Sequence, residues 1–212
     1  MLQKKFKNQT EVLIHLREAA RMLGGTPLDR PEDIEIDPVN GNVLVALTNN
    51  TTVNNYFGSI LKIEETDGKH DSLTFKSDTY LAGGEETGFA CPDNMAFDRA
   101  GNLWFTSDMS GSAMHKKPYT AFKNNGLFVV PRSGDQAGEV IQIASAPRDA
   151  ELTGPWFSPD GKTLFLSVQH PGENSTSLTN LTSNWPLGGI EMPKPAVVTI
   201  QGPALEQLQG IG

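Results

Sequence analysis

The sequence has one cysteine, Cys91, so no internal disulfide framework can hold the chain together. It contains no apolar run of membrane-spanning length, so no transmembrane segment is expected. Basic residues are outnumbered, 17 Lys and Arg against 25 Asp and Glu, giving a formal net charge of −8. A general nucleic-acid partner is thereby disfavoured, because a phosphate backbone is normally met by a basic face. The start, Met1-Leu-Gln-Lys-Lys, continues into polar residues, so no apolar leader is expected there either.

What the chain does have is turns. Its 212 residues include 21 Gly and 14 Pro, which suits many short strands, and a hydrophobic content of 37% is enough for a core. Gly41, Gly101 and Gly161 recur at intervals of 60 residues. Each ends a turn between two β-rich runs: Glu32-Asp-Ile-Glu-Ile-Asp-Pro-Val-Asn-Gly-Asn-Val-Leu-Val-Ala, Asp93-Asn-Met-Ala-Phe-Asp-Arg-Ala-Gly-Asn-Leu-Trp-Phe-Thr and Thr153-Gly-Pro-Trp-Phe-Ser-Pro-Asp-Gly-Lys-Thr-Leu-Phe-Leu. Repeated hairpins at so long a period predict an all-β fold, a β-propeller of about three blades. Further strands are expected at Ser59–Ile63, Gly126–Val130, Val140–Ile143 and Ala196–Ile200, with surface loops over Glu64–Thr79 and Gly172–Asn184 and a Gly-rich tail.

Only the beginning reads as helical. Asn8-Gln-Thr-Glu11 resembles a capping box, and Val12, Leu13, Leu16, Ala19, Ala20 and Leu23 follow at helical spacing until Gly24-Gly25 and Pro27 stop the run. The expected organisation is an N-terminal amphipathic helix in a helical arm over 1–29, then a partial propeller over 30–212 with blades around 30–80, 81–145 and 146–212. Closed propellers have about four to eight blades. Three repeats therefore predict part of a ring: a piece of a larger protein, which is the preferred expectation, or one of a pair of copies.

The inner strands of a propeller converge on one channel, so matched positions in successive hairpins can form one site. Counting back from the first turn residues, Asp37, Asp98 and Ser158, the fifth position holds Glu32, Asp93 and Thr153 and the seventh holds Arg30, Cys91 and Glu151. Alternation along a strand puts both columns on one face. Carboxylates gathered there repel unless a hard cation such as calcium neutralises them, and an adjacent arginine matches a phosphate bidentately. The alternative reading is that these acids cap turns and strand ends. Weaker candidates are His170, as a group beside the channel or a turn histidine, and the Gly83-Gly-Glu-Glu-Thr-Gly loop, which reads as solvated. Trp104, Trp156 and Phe157 read as packing residues, Cys91 as a buried thiol, and the Asn-x-Ser/Thr matches at Asn8, Asn50, Asn174 and Asn180 as chance.

Arg30-Pro-Glu-Asp-Ile-Glu, Ala46-Leu-Thr-Asn-Asn, Pro92-Asp-Asn-Met-Ala-Phe-Asp, Gly101-Asn-Leu-Trp-Phe-Thr-Ser-Asp, Gly154-Pro-Trp-Phe-Ser-Pro-Asp-Gly and Gln169-His-Pro-Gly resemble the C-terminal half of the PhoX-type alkaline phosphatases. The resemblance implies half of a six-bladed propeller and a phosphomonoester substrate hydrolysed at an iron and calcium cluster. It assigns Arg30 to the substrate phosphate and Glu32, Asp93 and Glu151 to calcium, with Cys91 outside the iron site. The iron ligands would lie mostly in a missing N-terminal half, the implied partner, and the compartment would be periplasmic or extracellular. Hydrolysis by this chain alone is not expected. A calcium-dependent lactonase-type propeller and a non-catalytic interaction propeller are the alternative readings.

Overall fold

The computed structural model describes residues 1–210. Three short helices, α1 (Leu2–Lys5), α2 (Gln9–Ile14) and α3 (Leu16–Met22), precede eleven strands in three antiparallel sheets. The first sheet is β1 (Pro31–Ile36), β2 (Val43–Leu47), β3 (Ser59–Glu65) and β4 (Phe75–Ala82). The second is β5 (Pro92–Phe97), β6 (Leu103–Ser107), β7 (Gly126–Val130) and β8 (Ile141–Ser145). The third has β9 (Glu151–Phe157), β10 (Thr163–Gln169) and β11 (Ala196–Gln201), and α4 (Pro203–Leu208) follows it. Strands within each sheet are in sequence order, so each is a meander with the repeated hairpin at one edge.

The three hairpin turns close as their residues dictate. Gly41, Gly101 and Gly161 adopt φ of 76°, 79° and 75°, a region glycine enters without steric cost. Asp37 accepts the Val39 N–H at 2.9 Å and Asp98 accepts that of Ala100 at 2.9 Å, the Asx geometry that favours acids at turn starts.

Alternation along the strands then divides the core. Leu103 and Phe105 point from β6 into a cluster with Leu44, Ala46 and Met95, between the first and second sheets. Trp104, between them in sequence, points the other way, to Leu152, Leu164 and Phe157 of the third sheet. Its ring meets Phe157 edge-on with centroids 5.4 Å apart, and its indole N–H donates to Asp98 at 2.8 Å. Burying side chains of this size contributes about 2–3 kcal/mol each. The second sheet is thus covered on both faces, and β5 packs against both β1 and β9.

Polar bonds repeat the same stacking. Asp33 of β1 accepts the Met95 N–H at 2.7 Å, and Asn94 of β5 accepts the Gly154 N–H at 2.8 Å. Each acceptor satisfies a backbone donor freed where the neighbouring first strand shifts register, between Pro92 and Met95 and between Thr153 and Trp156. Arg132 adds a third link, its guanidinium lying 2.5 Å from Asp37 across the first two sheets.

Three expectations need correction. The single helix from Asn8 to Leu23 is broken at His15 (φ −105°, ψ 36°). Asn8 does cap α2, but Glu11 takes the Lys7 N–H and not that of Asn8. Most of the apolar face is uncovered: Leu13, Leu16 and Leu23 are exposed and only Ala19 is buried in α3. Glu64–Thr79 is not all loop, because β3 runs to Glu65 and β4 begins at Phe75. The tail is not merely glycine-rich, since Pro203 starts α4 and buries Leu205.

Candidate functional site

Arg30, Cys91 and Asp149 lie just before the first strands of the three sheets, with φ of 54°, 55° and 57°. A left-handed backbone costs an ordinary residue about 1–2 kcal/mol, and here the same kink recurs three times. Two residues after each kink comes a carboxylate: Glu32, Asp93 and Glu151. Each sheet therefore delivers one acid at the start of its first strand.

The register differs from the sequence expectation at one point. Glu151 stands with Glu32 and Asp93, not with Arg30 and Cys91, because β9 carries two more residues between kink and turn than β1 or β5. A two-residue addition preserves facing, so Glu151 still joins the other acids. Thr153, expected in that column, instead bonds through its hydroxyl to Asn94.

Asp93, Asp108 and Glu151 offer oxygens that all lie within 4.8 Å of one another. Asp108 carried no role in the sequence reading. It directly follows β6, and its N–H donates to the Cys91 carbonyl at 2.9 Å, which ties it to the second kink. Thr48 does the same to Arg30 at 3.1 Å in the first sheet. The signal was present: Thr48, Asp108 and His170 each directly follow the second strand of a hairpin.

Burial and mutual charge govern these acids. Asp93 is pushed up to about 7, first by desolvation and then by the charges of Glu151, Asp108 and Glu32. Asp108 is raised mainly by burial, against the opposing pull of His170 and Arg30. Glu151 is raised by burial and by Asp108, despite its bond to His170. The cluster holds more negative charge than its surroundings neutralise.

Glu151 is held in place by Gln169 at 3.2 Å and by His170 Nε2 at 3.3 Å. Burial alone would lower the His170 pKa, but the bond to Glu151 and the charge of Glu173 outweigh it and leave it raised. His170 thus sits against a clustered acid and also opens a turn, its carbonyl accepting the Glu173 N–H at 3.0 Å.

Glu32 is exposed and outside the tight trio, though its charge reaches both Asp93 and Asp108. It accepts Arg30 Nη2 at 3.2 Å, while Nη1 donates to Asn49 at 3.2 Å. The guanidinium is fixed at two nitrogens and otherwise open to solvent, which suits an incoming anion. Cys91 is fully buried, directed at the Tyr56 carbonyl and approached by Asn49, and burial raises its pKa; it is a poor source of thiolate. The Gly83–Gly88 loop closes on itself from Gly88 N to the Gly84 carbonyl and leaves Glu85 and Glu86 solvated. Trp156, expected in the packing, is 71% exposed on the outer face of the third sheet. Among the described residues no helix is long and apolar enough to cross a membrane.

Arg30 thus exposes its guanidinium next to a cluster of acids. No curated protein matches the sequence. A solved structure, that of Pseudomonas fluorescens PhoX in complex with vanadate, a transition state analogue, is similar with a TM-score of 0.82 and 31% identity. The match covers 94% of this chain but 38% of that one, so the chain spans well under half of its relative. The family profile described as alkaline phosphatase PhoX matches residues 2–172, a stretch that takes in Arg30, all four acids and His170. Sequence profile and three-dimensional likeness agree: this chain belongs to the PhoX alkaline phosphatase family.

Proposed function

We propose that the chain forms part of the active site of a metal-dependent phosphomonoester hydrolase. Asp93, Asp108, Glu151 and Glu32 hold calcium in this reading, and Arg30 clamps the substrate phosphate. The carrying observation is the trio with oxygens within 4.8 Å of one another, next to the Arg30–Glu32 pair. The donor set fits a hard cation: it is all oxygen, crowded, and leaves Asp93 only about half ionised at neutrality when no counter-charge is present. Calcium bound there supplies neutralisation and polarisation of phosphoryl oxygens.

The residues of the chain have separable tasks. Arg30 presents two nitrogens of a planar fork to phosphate oxygens and stabilises the charge they develop. Glu32 and Asn49 hold that fork in position. Gln169 and His170 orient Glu151. Iron, which the complete family site implies, does not fit Cys91, whose buried thiol is directed at the Tyr56 carbonyl and Asn49; in this reading its ligands lie mostly outside this chain.

We infer further that the three sheets are consecutive blades of a propeller, half of a six-bladed ring, and that the partner is the half carrying the remaining blades. Repetition of the sheet contacts supports this. Met95 and Phe97 lie four and six residues past the second kink and pack on Leu44 of the preceding sheet. Ile34 and Ile36 lie at the same distances past the first kink and are 63% and 54% exposed. At the other end, Phe165 corresponds in its hairpin to Trp104 and is also exposed, beside Trp156. Both end faces have the composition of an inter-sheet contact that lacks its other side.

The test is equilibrium dialysis against calcium, combined with hydrolysis of a chromogenic phosphomonoester by the chain alone and by the chain with the polypeptide that carries the remaining sheets. Calcium retention abolished by Glu151→Gln, with turnover only in the assembled protein, is the expected result. Calcium binding unaffected by Glu151→Gln and Asp93→Asn together would overturn the assignment.

A further inference from the structure

Arg30 also borders a cleft of about 440 Å³ lined by Asn49, Thr52, Tyr56, Pro118 and Tyr119 among others, none of them one of the clustered acids. We propose that this cleft receives the alcohol portion of the phosphomonoester and favours a neutral, ring-sized substituent. The inference rests on the reading of Arg30 as the phosphate clamp: a phosphate held there places its ester oxygen and substituent either over the acids or into this cleft, and the acids repel a second electron-rich group.

The chemistry of the walls selects the class. Among the described residues lining the cleft, Arg30 alone is charged. The carboxamides are already engaged: Asn49 by Arg30 and Cys91, Asn50 by Asp29 and Thr52. The Tyr119 hydroxyl donates to the Tyr56 carbonyl at 2.8 Å and that of Tyr56 to Asn54 at 3.1 Å, which fixes both rings and turns their polar ends to the protein. A substituent therefore meets the two tyrosine rings, Ala113 and Pro118, beside the neutral hydroxyls of Ser110, Thr51 and Thr52. A buried anionic or cationic substituent finds no counter-charge beyond the guanidinium already occupied by phosphate, whereas a flat ring gains contact with tyrosine. The volume is that of a small organic group, at the lower end of ligand clefts.

The test uses the whole chain, labelled with 15N, in buffer containing calcium, titrated with phenylphosphonate and with methylphosphonate. Both are expected to shift the Arg30 side-chain resonance, and only phenylphosphonate is expected to shift the Thr52 and Tyr56 amides. Phenylphosphonate should bind about fivefold more tightly, the order of one aromatic contact. Tyr56→Ala should erase that preference. Thr52→Trp, at an exposed position, should fill the cleft and weaken phenylphosphonate while sparing methylphosphonate, which gives a second reading if Tyr56→Ala disturbs folding. Equal affinities with shifts confined to Arg30 would overturn the cleft assignment and leave the phosphate clamp standing. No shift at Arg30 with either compound would overturn the clamp, and this inference with it.

Discussion

Asp93 and Glu151 open the first strands of two different sheets, and their carboxyl oxygens approach within 4.8 Å. The two acids share one polar enclosure, so the ionisation of each raises the cost of ionising the other.

A pH dependence follows for the calcium-free chain. Asp93 titrates at about 7 when folded, against an ordinary 3.8, so folding favours its protonated form. Stability is then intact near pH 4, declines as pH rises, and the full loss is present above pH 7. For a half-buried group the loss is on the order of 1 kcal/mol after solvent screening. Urea midpoints in a chelator are expected to fall between pH 5 and pH 8, and saturating calcium to reverse the trend. A midpoint that rises with pH in chelator would contradict the electrostatics of the cluster.

Arg30→Lys and Glu32→Gln separate clamp from ligand. In the assembled protein, Lys keeps the charge but loses the fork, so turnover is expected to drop by about 10²-fold with calcium content unchanged. Glu32→Gln is expected to lower calcium content. Elemental analysis alongside kinetics tells the two apart, and equal metal loss in both variants would merge the roles.

The Asp37–Arg132 pair makes an acid-side prediction. Burial would raise Asp37, but the Arg132 bond and the Val39 N–H outweigh it and hold its pKa below 3.8. Its contribution is therefore present above pH 3.8 and vanishes as pH falls through the lowered value. Asp37→Asn at neutral pH should cost about 2 kcal/mol, as expected for hydrogen bonds to a charged group. Thermal unfolding followed from pH 7 into the acid range measures both effects, and the gap between variant and parent should narrow as pH falls below 3.8.

Ile34→Lys combined with Trp156→Lys tests the end faces. The unmodified chain is expected to self-associate at micromolar concentration through its exposed apolar faces, and the double variant to stay monomeric by light scattering. Association unchanged by both lysines would place the sticky surface elsewhere.

The hairpins were legible because Gly41, Gly101 and Gly161 mark turns that few other residues tolerate. Glu32, Asp93 and Glu151 could be found by counting from those turns, although the longer β9 displaced one of them from its column. Asp108 was not legible that way: it lies past the return strand, and only the pairing of β5 with β6 brings it back to the kink. Strand β4 escaped notice because it is mostly exposed, with Lys76, Ser77, Asp78 and Thr79 breaking any apolar alternation. The N-terminal pattern suggested one helix because periodicity reports a face without reporting whether anything covers it.

Because the trio joins Asp93 and Asp108 of the second sheet to Glu151 of the third, it is a gauge of how those two sheets are angled. A tilt of a few degrees between the second and third sheets opens the distance from Asp93 to Glu151 without touching either side chain. Substitutions deep in the packing, such as at Trp104 or Phe157, thereby reach the spacing of the acid cluster through geometry alone. Drift in the core and drift in the spacing of these acids are then a single problem, because neither can change without the other registering it.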